Sequence, residues 1–196
     1  MYLQSATFKD DYRCFKKNDK FDFQQITLLV GDQGCGKSTL LELLGRNDKK
    51  LDLDLTDAGL KGVETFYFDA EKMNPRTKDP NLYSNMDGTN KGIGFGNALQ
   101  SRFMSHGQTL VAFTVDALRK VENCVVFLDE PESALSLRNQ YNLTHEIFAA
   151  ATNRNCQMIV ATHCSILIQA IDSVLSLEHR KWMPAQEFIQ TQQGPK

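Results

Sequence analysis

The sequence predicts an α/β fold: a mostly parallel sheet flanked by helices, preceded by an antiparallel β portion at the N-terminus. Three observations predict it. Strand-like apolar runs (Ile26–Val30, Cys124–Leu128, Gln157–Ala161, Ser173–Leu177) alternate with helix-like runs (Leu40–Leu44, Ser136–Ala151, Ser165–Ala170), the pattern of helices laid on the faces of a parallel sheet. Cys124–Leu128 reads CVVFL, apolar throughout, as in a strand buried on both faces. Ile26–Val30 leads straight into GDQGCGKST, a glycine-rich turn that opens a helix.

Each element follows from its own pattern. Tyr2–Phe8 and Tyr12–Phe15 read as short strands separated by Lys9-Asp10-Asp11, and Asn18-Asp19-Lys20 as a turn into Phe21–Val30. Together they give the antiparallel start. Residues 47–61 are charged and place Leu51, Leu53 and Leu55 at alternate positions, a pattern open to a short edge strand or a loop. Val63–Phe68 (VETFYF) reads as a second strand. Residues 69–95 carry Pro and Gly breakers among many Asn, Asp and Lys, so they are expected to form a long loop. Loops that long are functional or disordered segments. From Ser105 onward Leu110, Phe113, Ala117, Leu118 and Val121 recur at helical spacing. After His179 the chain is Gln-rich and contains Pro184 and Pro195. One domain over residues 1–180 and a mobile C-terminal tail over 181–196 are expected.

Composition excludes several classes. The 196 residues suffice for one domain with a substantial core, and 41% hydrophobic with 23% charged residues is ordinary for a globular protein. A formal net charge of −2 gives no global basic excess for nucleic acid or an acidic membrane surface. The pairs Lys16-Lys17, Lys49-Lys50, Arg119-Lys120 and Arg180-Lys181 read as solvated faces. Five cysteines, an odd number with no C-x-x-C pair, argue against a zinc site or a disulfide framework. They point to a reducing, cytoplasmic setting. Met1–Phe8 lacks a charged start followed by an apolar core. The longest apolar stretch, Ile166–Leu177, is broken by Gln169 and Asp172, so no membrane insertion is expected.

The glycine-rich turn carries the chemistry. Gly31, Gly36, Lys37 and Ser38 satisfy G-x-x-x-x-G-K-[ST] between a strand and a helix, the phosphate-binding loop pattern, so a P-loop NTPase fold is expected. Across Gly31, Asp32, Gln33, Gly34, Cys35, Gly36, Lys37, Ser38 and Thr39, backbone N–H groups can turn inward and cradle phosphate oxygens. Lys37 would reach the β- and γ-phosphates, and the Ser38 hydroxyl would bind Mg²⁺. VVFLDEP at Val125–Pro131 ends a strand in Asp129, which places that carboxylate at the sheet's C-terminal edge, where it can serve Mg²⁺. Glu130 follows and can orient and deprotonate an attacking water. Cys35 sits inside this loop, just before the helix. A thiol near a helix N-terminus can have a lowered pKa, and a neutral Ser-like role is the plainer reading.

Asp129-Glu130-Pro131 with Ser133-Ala134-Leu135-Ser136 resembles the Walker B and D-loop of ABC-class ATPases. Ala161-Thr162-His163 follows the next strand, as that class's switch histidine does. Ser105-His106-Gly107-Gln108 resembles a shortened signature, with Met104 for Leu and His106 for the first Gly. That departure is common in the SMC/RecF-like branch. Phe8–Val30 and Phe68-Asp69-Ala70-Glu71 also resemble that branch, and most closely its small standalone ATPases without coiled coils. The likeness runs from about Phe8 to Glu178.

The resemblance implies an ABC ATPase head-like domain that binds ATP and Mg²⁺ and hydrolyses ATP. It makes Glu130 the catalytic base, sets Lys37 on the phosphates, and gives His163 a γ-phosphate contact. Ser105, Gly107 and Gln108 would meet the ATP bound to another subunit, so a homodimer enclosing two ATP is implied. Ser38 and Asp129 would hold the metal. Glu71 stands at the Q-loop position, usually Gln; a carboxylate there can bind metal or water but cannot donate a hydrogen bond. Arg13 is a candidate nucleotide contact.

Three functions remain open on these residues. One is an ATPase that switches a DNA- or protein-linked process through ATP-driven dimerisation. Another is the ATPase subunit of a membrane transporter, which needs a helical subdomain between Glu71 and Ser105, where only about thirty residues lie. The third is a nucleotide-dependent binding module with little turnover.

Overall fold

The computed structural model describes residues 2–55, 63–69 and 114–192. Their central feature is a six-stranded sheet in the order β5-β6-β7-β3-β8-β9. β3 is Ile26–Val30, β5 Glu64–Asp69, β6 Cys124–Asp129, β7 Gln157–Ala161, β8 Ser173–Ser176 and β9 Lys181–Pro184. β5, β6, β7, β3 and β8 run parallel, and β9 pairs antiparallel with β8 at the edge. A second, antiparallel sheet has the order β2-β1-β4, with β1 Leu3–Phe8, β2 Lys20–Asp22 and β4 Leu51–Leu55. The predicted architecture is therefore observed: a mostly parallel sheet with an antiparallel β portion at its start.

Alternation along the strands divides the core into two layers. On one face lie Leu28, Val30, Cys124, Val126, Leu128, Met158, Val160 and Val174. They meet α2 (Leu137–Asn153), α3 (Ser165–Gln169), α4 (Ala185–Gln192) and the helical residues 114–120. On the other face Leu29, Val125, Phe127, Ile159, Ala161 and Leu175 pack with α1 (Lys37–Gly45) and the small sheet. Both faces being covered explains why β6 before Asp129 and β7 after Gln157 are apolar without alternation. Each fully buried Val, Leu or Phe there contributes about 1.5–3 kcal/mol relative to exposure.

Phe8 and Phe15 stack with centroids 4.4 Å apart, and Phe21 meets Phe15 edge-on at 5.7 Å, so the rings tie the turn at Tyr12–Phe15 to the small sheet. Side-chain hydrogen bonds fasten the small sheet to the large one. At the other end, the fully buried Gln157 accepts from the Tyr2 and Leu3 N–H groups at 2.9 and 2.7 Å. Its amide nitrogen donates to the Leu3 and Gln24 carbonyls at 2.7 and 3.1 Å.

Four local expectations change, and one left open is decided. Tyr12–Phe15 is a tight turn closed by a single bridge between its ends, not a strand. It is too short to pair further because Arg13 takes a left-handed φ of 53°. Phe21–Val30 is not one strand; β2 and β3 belong to different sheets, and the intervening Phe23 N–H bonds the Gln4 carbonyl at 2.7 Å. Residues 47–61, open to two readings, supply β4 through the alternating leucines. Residues 181–192, read as tail, form β9 and α4. Met183, Ala185 and Phe188 give them a buried face that low overall hydrophobicity hides. Arg180 is likewise no solvated basic residue. Its guanidinium lies 4.8 Å from the Phe15 ring centroid and donates to the Cys14 carbonyl.

Candidate active site

The phosphate-binding loop joins the central β3 to α1. Gly31, Gly34 and Gly36 hold positive φ values of 139°, 84° and 105°. Gly36 caps α1 in the left-handed region without any side-chain cap, so the first-turn N–H groups stay directed at the loop, where the helix dipole favours an anion. A Cβ on Gly36 would lie 2.5 Å from Cys14 Sγ and 2.7 Å from the Phe15 ring. The aromatic turn thus presses directly on the loop and fixes its shape.

Lys37 is 5% exposed. Its ammonium donates to the Gly31 carbonyl at 2.9 Å and the Asp32 carbonyl at 3.2 Å, and lies 3.9 Å from Cys35 Sγ. The charge therefore sits in the mouth of the loop, held by carbonyls that a bound phosphate would compete with. Burial pushes the Cys35 thiol up, outweighing the opposing influence of Lys37. A lowered pKa at this cysteine is not what forms; it stays a protonated, Ser-like filler.

Ser38 donates to Asp129 Oδ1 at 3.0 Å. The contact links the first turn of α1 to the end of β6, as the sequence places them. Tyr67 donates to Asp129 Oδ2 at 3.4 Å. Burial, then the negative charges of Asp129, Asp69 and Glu42, hold the Tyr67 phenol well above its ordinary pKa, so it is a permanent donor here. Asp69 ends β5 in register with Asp129 and is 5% exposed. Two hard oxygen donors converging at Ser38 and Asp129, with a second buried carboxylate on the next strand, suit Mg²⁺ chemistry.

The turn after β6 presents Glu130. Its φ is 45°, and its N–H bonds the Ala161 carbonyl at 2.9 Å. Glu130 Oε1 lies 3.6 Å from His163 Nε2, with the two side chains 46% and 47% exposed. Ser133 Oγ is 3.5 Å from Glu130 Oε2. Between them Glu132 turns inward: its Oε1 accepts from Thr162 Oγ1 and from the His163 N–H, both at 2.7 Å.

Arg13 donates to Thr39 Oγ1 at 2.9 Å and lies 5.4 Å from the Tyr12 ring centroid. It therefore flanks the start of α1. The structure brings together Arg13, the loop from Gly31 to Thr39 and Asp129, and separately pairs Glu130 with His163. Glu71, Ser105, Gly107 and Gln108 lie outside the described residues. Sequence reasoning missed Tyr67, Asp69 and Glu132. An acid closing a strand was a signal for Asp69, as it was for Asp129. Glu132 was signalled only by the repeat of a carboxylate two positions after Glu130.

No curated protein matches the sequence. Among solved structures, the fold is similar to the ATP-binding subunit of an ABC transporter, with TM-score 0.66 and 13% identity over 100% of this chain and 96% of that one. An ABC transporter described as metal-chelate type, in an inward-facing conformation, matches with TM-score 0.61 and 21% identity over 95% and 85%. A dimeric ATP-binding cassette in a post-hydrolysis state bound to ADP and Pi matches with TM-score 0.58 and 16% identity over 94% and 98%. The fold is thus that of an ABC-type P-loop ATPase. No helix among the described residues is long and apolar enough to cross a membrane. The model of one family covers residues 27–181, from the second residue of β3 to the first of β9 and with the phosphate loop, Asp129, Glu130 and His163 inside it, and the chain belongs to that family, the ATPases associated with various cellular activities (AAA).

Proposed function

We propose that the chain hydrolyses ATP to ADP and phosphate, and that ATP joins two copies while hydrolysis releases them. The observation that carries this reading is the pairing of Ser38 with Asp129 at 3.0 Å beside a buried, loop-held Lys37. A glycine turn that merely capped a helix would have no reason to bury a lysine and aim a hydroxyl at a strand-end carboxylate.

In this reading the N–H groups from Gly31 to Thr39 bind the phosphates, and Lys37 exchanges its carbonyl partners for phosphate oxygens. Ser38 and Asp129 hold Mg²⁺, which when bound neutralises charge on the β- and γ-phosphates. Tyr67 keeps Asp129 oriented. Glu130 orients a water and takes its proton as the oxygen attacks the γ-phosphorus. His163 donates to the departing γ-phosphoryl charge. Both side chains are half exposed, so the catalytic edge faces outward, and this supports a second copy closing it. Ser105, Gly107 and Gln108 of that copy would supply the closing contacts. The dimeric, ADP- and Pi-bound cassette of the same fold supports the same arrangement. The load would be a DNA or protein partner, as in the SMC/RecF-like branch.

The test is Glu130→Gln. Gel filtration should find it monomeric without nucleotide and dimeric with ATP and Mg²⁺. Its turnover should fall on the order of 10²-fold or more, as expected for loss of a general base. Wild-type turnover by Glu130→Gln would remove Glu130 from the role. Turnover of the wild-type protein stimulated by DNA would identify the load, and no turnover under any condition would leave a nucleotide-dependent binding module.

A further inference from the structure

We infer that Glu132 is a positioning residue for the hydrolytic step: it clamps the segment after β7 and so holds His163 against Glu130. The inference rests on the ATPase reading above and names a residue that none of the sequence motifs assigned.

The geometry is specific. Glu132 lies two residues beyond Glu130, across Pro131, in the turn that leaves β6. One of its oxygens, Oε1, accepts both the Thr162 hydroxyl and the His163 N–H at 2.7 Å. The other, Oε2, is buried and has no hydrogen-bond partner among the described residues. A carboxylate oxygen buried without a partner is costly to keep, so the two short bonds of its companion oxygen have a purpose beyond filling space. Thr162 extends the clamp: its hydroxyl also accepts the Cys164 N–H at 2.9 Å. The turn therefore presents two carboxylates in opposite directions. Glu130 faces outward, with its oxygen 3.6 Å from His163 Nε2. Glu132 faces inward and grips the backbone of the same histidine. The backbone of His163 and its imidazole are thus both referred to one five-residue turn, Glu130 to Ala134, whose ends take left-handed φ values of 45° and 62°.

A charge-assisted bond to a backbone N–H fixes where the histidine's Cα sits, and the imidazole swings from that anchor. Loss of the anchor should leave ATP binding at the phosphate loop intact and degrade the alignment of the chemical step. Misplacement of about 1 Å can lower the rate on the order of 10²-fold.

The test compares Glu132→Ala with Glu132→Gln. Gln keeps an oxygen that can accept both donors, so its kcat should stay within about fivefold of wild type, the difference between a charged and a neutral acceptor. Glu132→Ala should lose kcat on the order of 10-fold to 10²-fold with KM for ATP nearly unchanged. On a His163→Ala background, Glu132→Ala should cause little further loss, because the clamp has nothing left to position. Equal kcat for wild type and Glu132→Ala, or losses that simply multiply with those of His163→Ala, would overturn the inference. A second readout needs no turnover. The His163 amide should exchange with solvent slowly in the wild type and in Glu132→Gln, and at least about tenfold faster in Glu132→Ala. Equal His163 exchange in all three proteins overturns the clamp even if the wild type proves inactive. A silent wild type with the exchange pattern intact instead refutes the ATPase reading alone.

Discussion

Gly36 offers the most quantitative test of how the phosphate loop is built. Its φ of 105° lies where an L-residue is strained, at about 1–2 kcal/mol for a β-carbon. A Cβ there would also lie 2.5 Å from Cys14 Sγ and 2.7 and 2.9 Å from two atoms of the Phe15 ring. Cys14 can rotate away, but Phe15 cannot: it is fully buried, stacked on Phe8 and edge-on to Phe21. Overpacking against such a ring costs about 1–3 kcal/mol. Gly36→Ala should therefore destabilise by about 2–5 kcal/mol. Gly34 is the internal control. Its φ is also positive, at 84°, yet nothing lies within 4 Å of a Cβ built on it. Gly34→Ala should cost only the backbone strain, about 1–2 kcal/mol. Urea unfolding of the two variants measures the difference, and in a chain this size each kcal/mol also moves Tm by about 2–4 °C. If the two variants unfold within about 0.5 kcal/mol of each other, the aromatic turn does not press on the loop as described.

Two further substitutions address what surrounds the site. Gln157→Leu keeps the volume but leaves the Tyr2 and Leu3 N–H groups and the Leu3 and Gln24 carbonyls without their partner. Chemical denaturation should find it about 2–4 kcal/mol less stable, and a loss below 1 kcal/mol would mean the amide is dispensable. Tyr67 is held neutral in the folded protein, first by burial and then by Asp129, Asp69 and Glu42. Its folded-state pKa is raised, so its contribution is present below the unfolded value of about 10 and is lost as pH rises past it. Stability measured from pH 8 to 11 should fall less steeply in Tyr67→Phe than in the wild type; parallel curves would contradict the burial.

The parts legible in the sequence were those set by local pattern. β6 and β7 could be read as buried strands because both faces are covered, so no polar position interrupts them. Lys37, Ser38 and Asp129 could be placed together because a strand–turn–helix motif and a strand-end acid have only one way to meet in a parallel sheet. What stayed hidden depends on contacts between distant segments. β9 and α4 carry few apolar residues, and only the docking of Met183, Ala185 and Phe188 on the sheet makes them structure. The separation of β2 from β3 is invisible in Phe21–Val30, because no Gly or Pro marks the point at Gln24-Gln25 where the chain changes sheets. Glu132 belongs to no motif; its inward turn goes with the left-handed φ of Glu130, which the sequence does not announce. The lowered pKa open to Cys35 failed because burial outweighs a neighbouring positive charge.

Gln157 joins the two sheets through a side-chain amide that behaves like one more peptide group, accepting from and donating to β1 as a neighbouring strand would. A ladder would have bound the small sheet to a register, so that any insertion in β1 shifted the strands around the phosphate loop. Isolated side-chain contacts such as this one impose no register. The N-terminal sheet can therefore change in length, twist and outer face while the large sheet keeps its alignment, which makes it the part of this fold freest to be reshaped.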